Sequence, residues 1–563
     1  MTVELDGESL TPDAVVAVAR DDEPISVPES ARERVRECRA RVEDIVESGN
    51  VVYGLNTGFG QLVDERIPSE DLAQLQVNLL RSHAAGTGRE LTREEVRAML
   101  VARINALVKG YSGVRERVID YLVAMCNAGV HPVVRAQGSL GASGDLAPLA
   151  HMSLVLIGEG EAVVDVAIDE RDERDEADEA GGTDGADTEA GATRRLSGQN
   201  ALATIDREPL DLAPKEGLAL INGTQLTAAL AALVVVDGEH LVRAADAAGA
   251  LTTETTLATT ATSAPAIQSV RPHTGQQESA DLVRRLTADS EIVEAHRNCD
   301  RVQDAYSLRC LPQVHGAVRD AVCHLREGVT TELNSATDNP LIFPAAEVDD
   351  RASGTDRGAA LSGGNFHGAP LALRLEYVRL ALTDLAAISE RRIDRLLNPN
   401  LQEDHLPPFL AVESGLESGY MIAQYSAAAL VNELRSLGAA SADNTPVSGN
   451  QEDHVSMSAQ AALNARTAIE NARGVVAAEL VCGTEATEYV DDAFEATDLS
   501  LGVGTRAVRD LIREVVPPLT GDRPLHPDID AVADLLAAGH LDTALEQALE
   551  TFDPASGRSR VGE

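Results

Sequence analysis

Apolar residues recur every three or four positions along much of this chain, and that spacing restricts it to helices. Leu371, Leu375, Val378, Leu382, Leu385 and Ile388 form one such stripe, the signature of an amphipathic helix. That helix is expected to stop near Asn398-Pro399. Thr92-Arg93-Glu94-Glu95 reads as a capping box before Val96, Leu100, Ile104 and Leu107. Ser69 is positioned to cap a helix carrying Leu72, Leu75 and Leu79 and ending near Gly86, and Thr11-Pro12 opens another. Strand signals are short: Glu161 to Val166, and Pro340 to Phe343. No fixed repeat occurs. The expected class is mainly α, with long helices packed as a bundle. Hydrophobic residues make up 44% of 563, enough for a sizeable core. No uninterrupted apolar run suggests a transmembrane helix. The acidic start, MTVELDGESLTPD, lacks the apolar stretch of a signal peptide.

Charge narrows the partners. Asp and Glu number 91 against 47 Lys and Arg, a net charge of -44, and the only lysines are Lys109 and Lys215. A broad nucleic-acid-binding face is excluded on that balance. Such a chain repels itself at low salt, and concentrated salt screens the repulsion. The composition therefore reads as adaptation to a salty cytoplasm; an acidic interaction protein and a nucleic-acid mimic are the alternatives. Residues 165–195 hold twelve acids and four arginines with almost no large apolar side chain. This is expected to be a solvated, mobile insertion. It accounts for -8 of the charge and leaves -36 elsewhere, so the acidity is global. Cys38, Cys126, Cys299, Cys310, Cys323 and Cys482 form no C-x-x-C pair. Their scatter argues against a zinc site or disulfide framework and fits a reducing compartment.

The loop Gly138-Ser-Leu-Gly-Ala-Ser-Gly-Asp-Leu-Ala-Pro-Leu149 is the most informative stretch. Its plainest reading is a tight turn before a helix, with Ser143 or Asp145 as cap. A nucleophilic serine is a second reading, although the G-x-S-x-G elbow is not matched. A phosphate loop is a third, without the Gly-Lys-Ser/Thr ending. A fourth is self-cyclisation. The Gly144 nitrogen can attack the Ala142 carbonyl with loss of water, and loss of the Ser143 hydroxyl then leaves an exocyclic methylene. Small residues and glycines permit the bent backbone this needs.

Gly138 to His151, GSLGASGDLAPLAH, resembles the prosthetic-group loop of the aromatic amino acid ammonia-lyases. YGLNTGFG (from Tyr53), LLRSHAAGTG (from Leu79), LAPKEGLALINGTQ (from Leu212), QDAYSLRCLPQVHGA (from Gln303), SGGNFHG (from Ser362) and NQEDHVSM (from Asn450) match in the same order. The set is most similar to the histidine-specific branch. The resemblance implies a fumarase/aspartase-like long-helix bundle with a smaller N-terminal part carrying the loop. The division would be 1–210, holding the tyrosine lid and the loop, and 211–563, holding the central bundle and C-terminal helices. It also implies that Ala142, Ser143 and Gly144 become 4-methylidene-imidazol-5-one (MIO), with no external cofactor and no metal. The expected reaction is non-oxidative conversion of L-histidine to trans-urocanate and ammonia, opening histidine breakdown in the cytoplasm. A homotetramer with sites drawn from several subunits is expected.

Residue roles follow from the same resemblance. Tyr53 is the β-proton base on a glycine-rich lid, and its phenol needs a stabilised phenolate to serve. Arg309 is the fork that holds the substrate carboxylate. Tyr306 supports the MIO site, Gln303 and Asn222 orient the amine and polarise the MIO carbonyl, and Phe366 packs beside the ring. His83 faces the substrate ring and suits imidazole or phenol. Glu433 meets the imidazole or the departing ammonium, although its neighbours Asn432, Leu434 and Arg435 depart from the family's Ser-Glu-Asn-Lys pattern. His454 has no assigned role. A tyrosine ammonia-lyase or an MIO-dependent aminomutase is the rival within the family, and an acidic scaffold protein the rival outside it.

Overall fold

The stripe beginning at Leu371 lies on one helix, Ala369–Leu397. Leu371, Leu375, Val378, Leu382 and Leu385 are buried and Ile388 is half-buried. The helix ends just before Asn398, because the residue preceding a proline is driven out of the α region. These observations come from a computed structural model that describes residues 2–52, 54–57, 67–165, 193–297, 301–349, 351–442, 444–494, 498–550, 552–553 and 558–559. Its other long helices are Gln225–Thr255, Leu311–Leu333 and Ser458–Ala486. The chain is mainly α, as its apolar spacing requires.

Two units compose the chain. The first comprises Met1–Leu233, Arg326–Leu373 and Ala440–Leu463; the second comprises Val234–Leu325, Arg374–Ala439 and Asn464–Glu563.

In the first unit, helix Arg93–Val108 opens on the expected capping box. Thr92 Oγ1 accepts from the Glu95 amide at 3.4 Å, and Glu95 Oε2 accepts from the Thr92 amide at 2.8 Å. The sequence suggested one buried face, but this helix is buried almost all round, Arg97 and Arg103 included. Burying a guanidinium requires acceptors. Arg97 finds the carbonyls of Val18 and Cys126, at 2.8 and 3.0 Å. Thr11 caps Pro12–Arg20 as expected, accepting from the Ala14 amide at 3.2 Å. The next start differs. Ser69–Asp71 forms a 3₁₀ turn, so Asp71 holds the cap position of helix Leu72–His83, without a side-chain capping bond. That helix ends at His83, three residues short of Gly86.

Both expected strands form. Glu161–Asp165 pairs antiparallel with Val130–Pro132 and with Thr193–Ser197, the last register position being Asp165 opposite Thr193. The acidic segment is therefore interposed between two paired strands; its residues 166–192 lie outside the described residues. Leu341–Pro344 pairs antiparallel with Gly358–Leu361. Ile342 and Ala360 from this pair pack with Cys38, Val42, Ile45, Val52 and Leu55.

One helix bears on the expectation that no segment crosses a membrane. Helix Gln225–Thr255 is long and apolar enough to cross a membrane by length and composition. Nearly all of it is buried within the protein, which makes it a core helix. Scattered Thr and single charges such as Asp237 and Arg243 break the continuous apolar run that a sequence scan seeks. In the second unit, Arg392 and Glu479 are both fully buried and paired through Nε and Nη2 at 2.5 and 2.9 Å. Thr252 and Ser389 also donate their hydroxyls to Glu479.

Candidate active site

The loop between strand Arg135–Gln137 and helix Leu146–Leu154 is bent by three glycines with positive φ: Gly138, Gly141 and Gly144. Gly144 lies against Gly223. The Asp145 amide donates to the Gly223 carbonyl at 2.6 Å, and a Cβ on Gly144 would stand 2.2 Å from that same oxygen. No other residue fits there without moving the backbone.

The capping readings of this loop do not hold. Asp145 occupies the N-cap position but makes no capping bond. Its buried carboxylate instead accepts from Ser139 Oγ at 2.8 Å and from the Thr227 amide and hydroxyl at 2.8 and 3.2 Å. Burial pushes its pKa up, against the pull of those donors. Ser143 turns its hydroxyl to Glu452, donating to Oε1 at 2.8 Å. Its carbonyl accepts from Asn222 Nδ2 at 2.8 Å. The other end of that amide, Asn222 Oδ1, is buried and has no partner among the described residues. Arg103 fixes the backbone behind it, with Nη1 donating to the Asn222 carbonyl at 3.1 Å and to Gln225 Oε1 at 2.6 Å. Burial lowers the Arg103 pKa to about 10.

A second segment clamps the loop. Met457 donates its amide to the Leu140 carbonyl at 2.8 Å, and Ser456 Oγ donates to the Gly141 carbonyl at 3.0 Å. Val447 and Glu452 exchange backbone hydrogen bonds across the turn before it. This places Glu452 at the loop.

Ala142, Ser143 and Asn222 open into a cavity of ≈ 910 Å³ also lined by His83, Leu146, Phe366, Glu452 and His454. His83, the last residue of its helix, sets Nδ1 2.9 Å from the Leu79 carbonyl. A carbonyl can only accept, so Nδ1 carries the proton. Burial lowers the His83 pKa, against the pull of the Leu79 carbonyl and of Glu452. The neutral ring therefore keeps Nε2 as an acceptor. His367 and His454 stack with centroids 5.6 Å apart.

The structure thus brings together Ala142, Ser143, Gly144, Asn222, Phe366 and His83, all in the first unit. Tyr53 lies outside the described residues; its neighbour Gly54 packs on Leu218, a wall of the cavity. Gln303, Tyr306, Arg309 and Glu433 belong to the second unit. Tyr306 is 71% exposed, and the Arg309 guanidinium stacks over its ring at 4.7 Å. Gln303 and Glu433 are exposed. Sequence reasoning passed over Glu452, Asp145 as an anchor, and Arg103. Glu452 stood inside a matched motif, yet nothing local ties it to a serine 309 positions away.

The model of the family described as aromatic amino acid lyase matches residues 10–514. The chain belongs to the aromatic amino acid lyase family. A probable histidine ammonia-lyase from Halobacterium salinarum is 60% identical over 97% of this chain and 98% of its own length. Two solved structures are also similar. The histidine ammonia-lyase of Trypanosoma cruzi is 38% identical with a TM-score of 0.83, covering 99% of this chain and 97% of its own. A tyrosine aminomutase from Streptomyces globisporus is 35% identical with a TM-score of 0.85, covering 97% and 99%. The fold is therefore that of the aromatic amino acid lyases.

Proposed function

We propose that this protein is a carbon–nitrogen lyase that converts L-histidine to trans-urocanate and ammonia. The observation that carries the reading is the Ala142-Ser143-Gly144 loop, bent against Gly223, with Asn222 on the Ser143 carbonyl and a cavity in front of it. Relatives that share most of its length and carry the histidine ammonia-lyase name support the substrate.

The residues present fit a self-made MIO. Ser143 has a hydroxyl to lose, Gly144 leaves its nitrogen unobstructed, and the Asn222 amide already meets the carbonyl that the ring would keep. Such a group supplies an electrophilic methylene that makes the α-amine a leaving group. Asn222 Nδ2 stabilises negative charge on the Ser143 carbonyl oxygen, and its buried Oδ1 is left to accept from a substrate amine. Neutral His83 offers Nε2 to the N–H of an imidazole ring. Tyr53 takes the β-proton. Arg309 holds the carboxylate, its planar fork set by the Tyr306 ring.

Gln303, Arg309 and Glu433 make no side-chain hydrogen bond or ion pair with described residues of this chain. Their polar groups are thus available to substrate or to a second copy. The second unit also exposes Val302, Tyr377, Leu380, Ile422 and Tyr425, apolar surface that suits a homotetramer. The net charge of -44 suits a salt-rich cytoplasm.

The test is turnover in concentrated salt, comparing L-histidine with L-tyrosine. Urocanate absorbance rising with histidine alone supports the proposal. Turnover of tyrosine alone, or a β-amino acid product, transfers it to the aminomutase or tyrosine lyase reading.

A further inference from the structure

Among the described residues the Ser143 hydroxyl has one partner, and it is a carboxylate. Glu452 Oε1 stands 2.8 Å from Ser143 Oγ. The carboxylate is held there by its own turn, through the paired backbone of Val447 and Glu452, and the residues that follow it grip the loop at Leu140 and Gly141. The contact joins the oxygen that leaves in the second dehydration to an acid of the cavity wall. A carboxylate in a substrate cavity has an ordinary alternative use, which is to bind substrate. Its 2.8 Å contact with the Ser143 hydroxyl gives it a second use before any substrate is bound.

We propose that Glu452 is the maturation acid of this protein, delivering the proton with which the Ser143 hydroxyl departs. The inference rests on the MIO reading above. In the first step the Gly144 nitrogen bonds to the Ala142 carbonyl carbon. That oxygen leaves as water with the hydrogens of the Gly144 and Ser143 amides, and a C=N bond forms between Ala142 C and Ser143 N. In the second step the Ser143 Cα–H pair becomes the Cα=Cβ bond as Cβ–Oγ breaks. The Glu452 carboxylate takes the proton released at Cα and passes it to the departing oxygen, which leaves as the second water, so the residue is unchanged at the end. Asn222 Nδ2, on the Ser143 carbonyl, acidifies that Cα–H by drawing charge onto the oxygen.

The experiment is intact-mass spectrometry of the full-length protein over time after synthesis, for wild type, Glu452→Gln and Glu452→Asp, each checked for native helicity by circular dichroism. Wild type should weigh less than its sequence by two waters. Glu452→Gln keeps the size and a hydrogen-bonding end but has no proton of carboxylic strength to give. It should accumulate the species lacking one water and lose the second at least about tenfold more slowly, a barrier change of about 1.4 kcal/mol. Glu452→Asp should mature faster than Glu452→Gln. Complete loss of both waters in Glu452→Gln at the wild-type rate overturns the proposal. So does an Asp variant no faster than the Gln variant, which makes the side chain a spacer only. A wild type at full sequence mass overturns the MIO reading itself, a different result from either.

Discussion

At the scale of single residues, the site separates groups that act on charge from groups that hold shape. Ser143→Ala has no hydroxyl to lose, and its turnover should fall by about 10³-fold or more with helicity unchanged; wild-type-like urocanate formation would refute its role. Asn222→Ala removes a donor from the Ser143 carbonyl, and kcat should fall about 10²–10³-fold. His83 supplies a pH prediction. Burial holds its pKa below the usual histidine value of 6.5, and the proposed role needs the neutral ring. Lowering pH protonates Nε2 and removes the acceptor. The acid limb of kcat/KM that disappears in His83→Gln should therefore lie below pH 6.5, and a limb above that value would contradict the assignment. Much of this was legible as residue types in motifs: Ser143, Gly144, Asn222, His83 and Phe366 converge as the sequence implied. Asp145 and Glu452 were not legible. Their partners, Thr227 and Ser143, are 82 and 309 positions away, and only folding makes those pairs.

At the scale of elements, local rules held where an end is exposed and failed where an element is enclosed. The Thr92 capping box formed, and Thr92→Ala should cost about 1 kcal/mol in denaturant unfolding. Thr11 capped its helix for the same local reason. Helix Arg93–Val108 could not be read correctly from its period, because Arg97 and Arg103 look like a solvent face and are buried. Backbone carbonyls from other segments accept from both, which no helical wheel can show. Ser69 failed as a cap because the chain enters through a 3₁₀ turn first. In the second unit, Arg392→Ala would leave the fully buried Glu479 with hydroxyl donors alone. Breaking a buried pair in this way should cost about 3–5 kcal/mol, read as a lower unfolding midpoint; a change below about 1 kcal/mol would show that the hydroxyls suffice.

At the scale of the whole molecule, composition set the class and the charge, while the order of motifs carried the chemistry. Asp165 and Thr193 are paired neighbours, so a short turn can replace residues 166–192. That deletion removes nine net negative charges and leaves -35. Turnover should stay within about twofold, and the midpoint of thermal unfolding should still rise with salt, because the remaining repulsion is global. Loss of the salt dependence would place it in the insertion instead. The central claim is that an electrophile made from Ala142-Ser143-Gly144 faces the histidine cavity. Borohydride treatment followed by peptide mass spectrometry tests it most directly. The account predicts that the peptide containing Ser143, already short of two waters, gains two hydrogens, that turnover is lost in step, and that L-histidine protects both. A peptide at its full sequence mass, or labelling there with turnover intact, would contradict it.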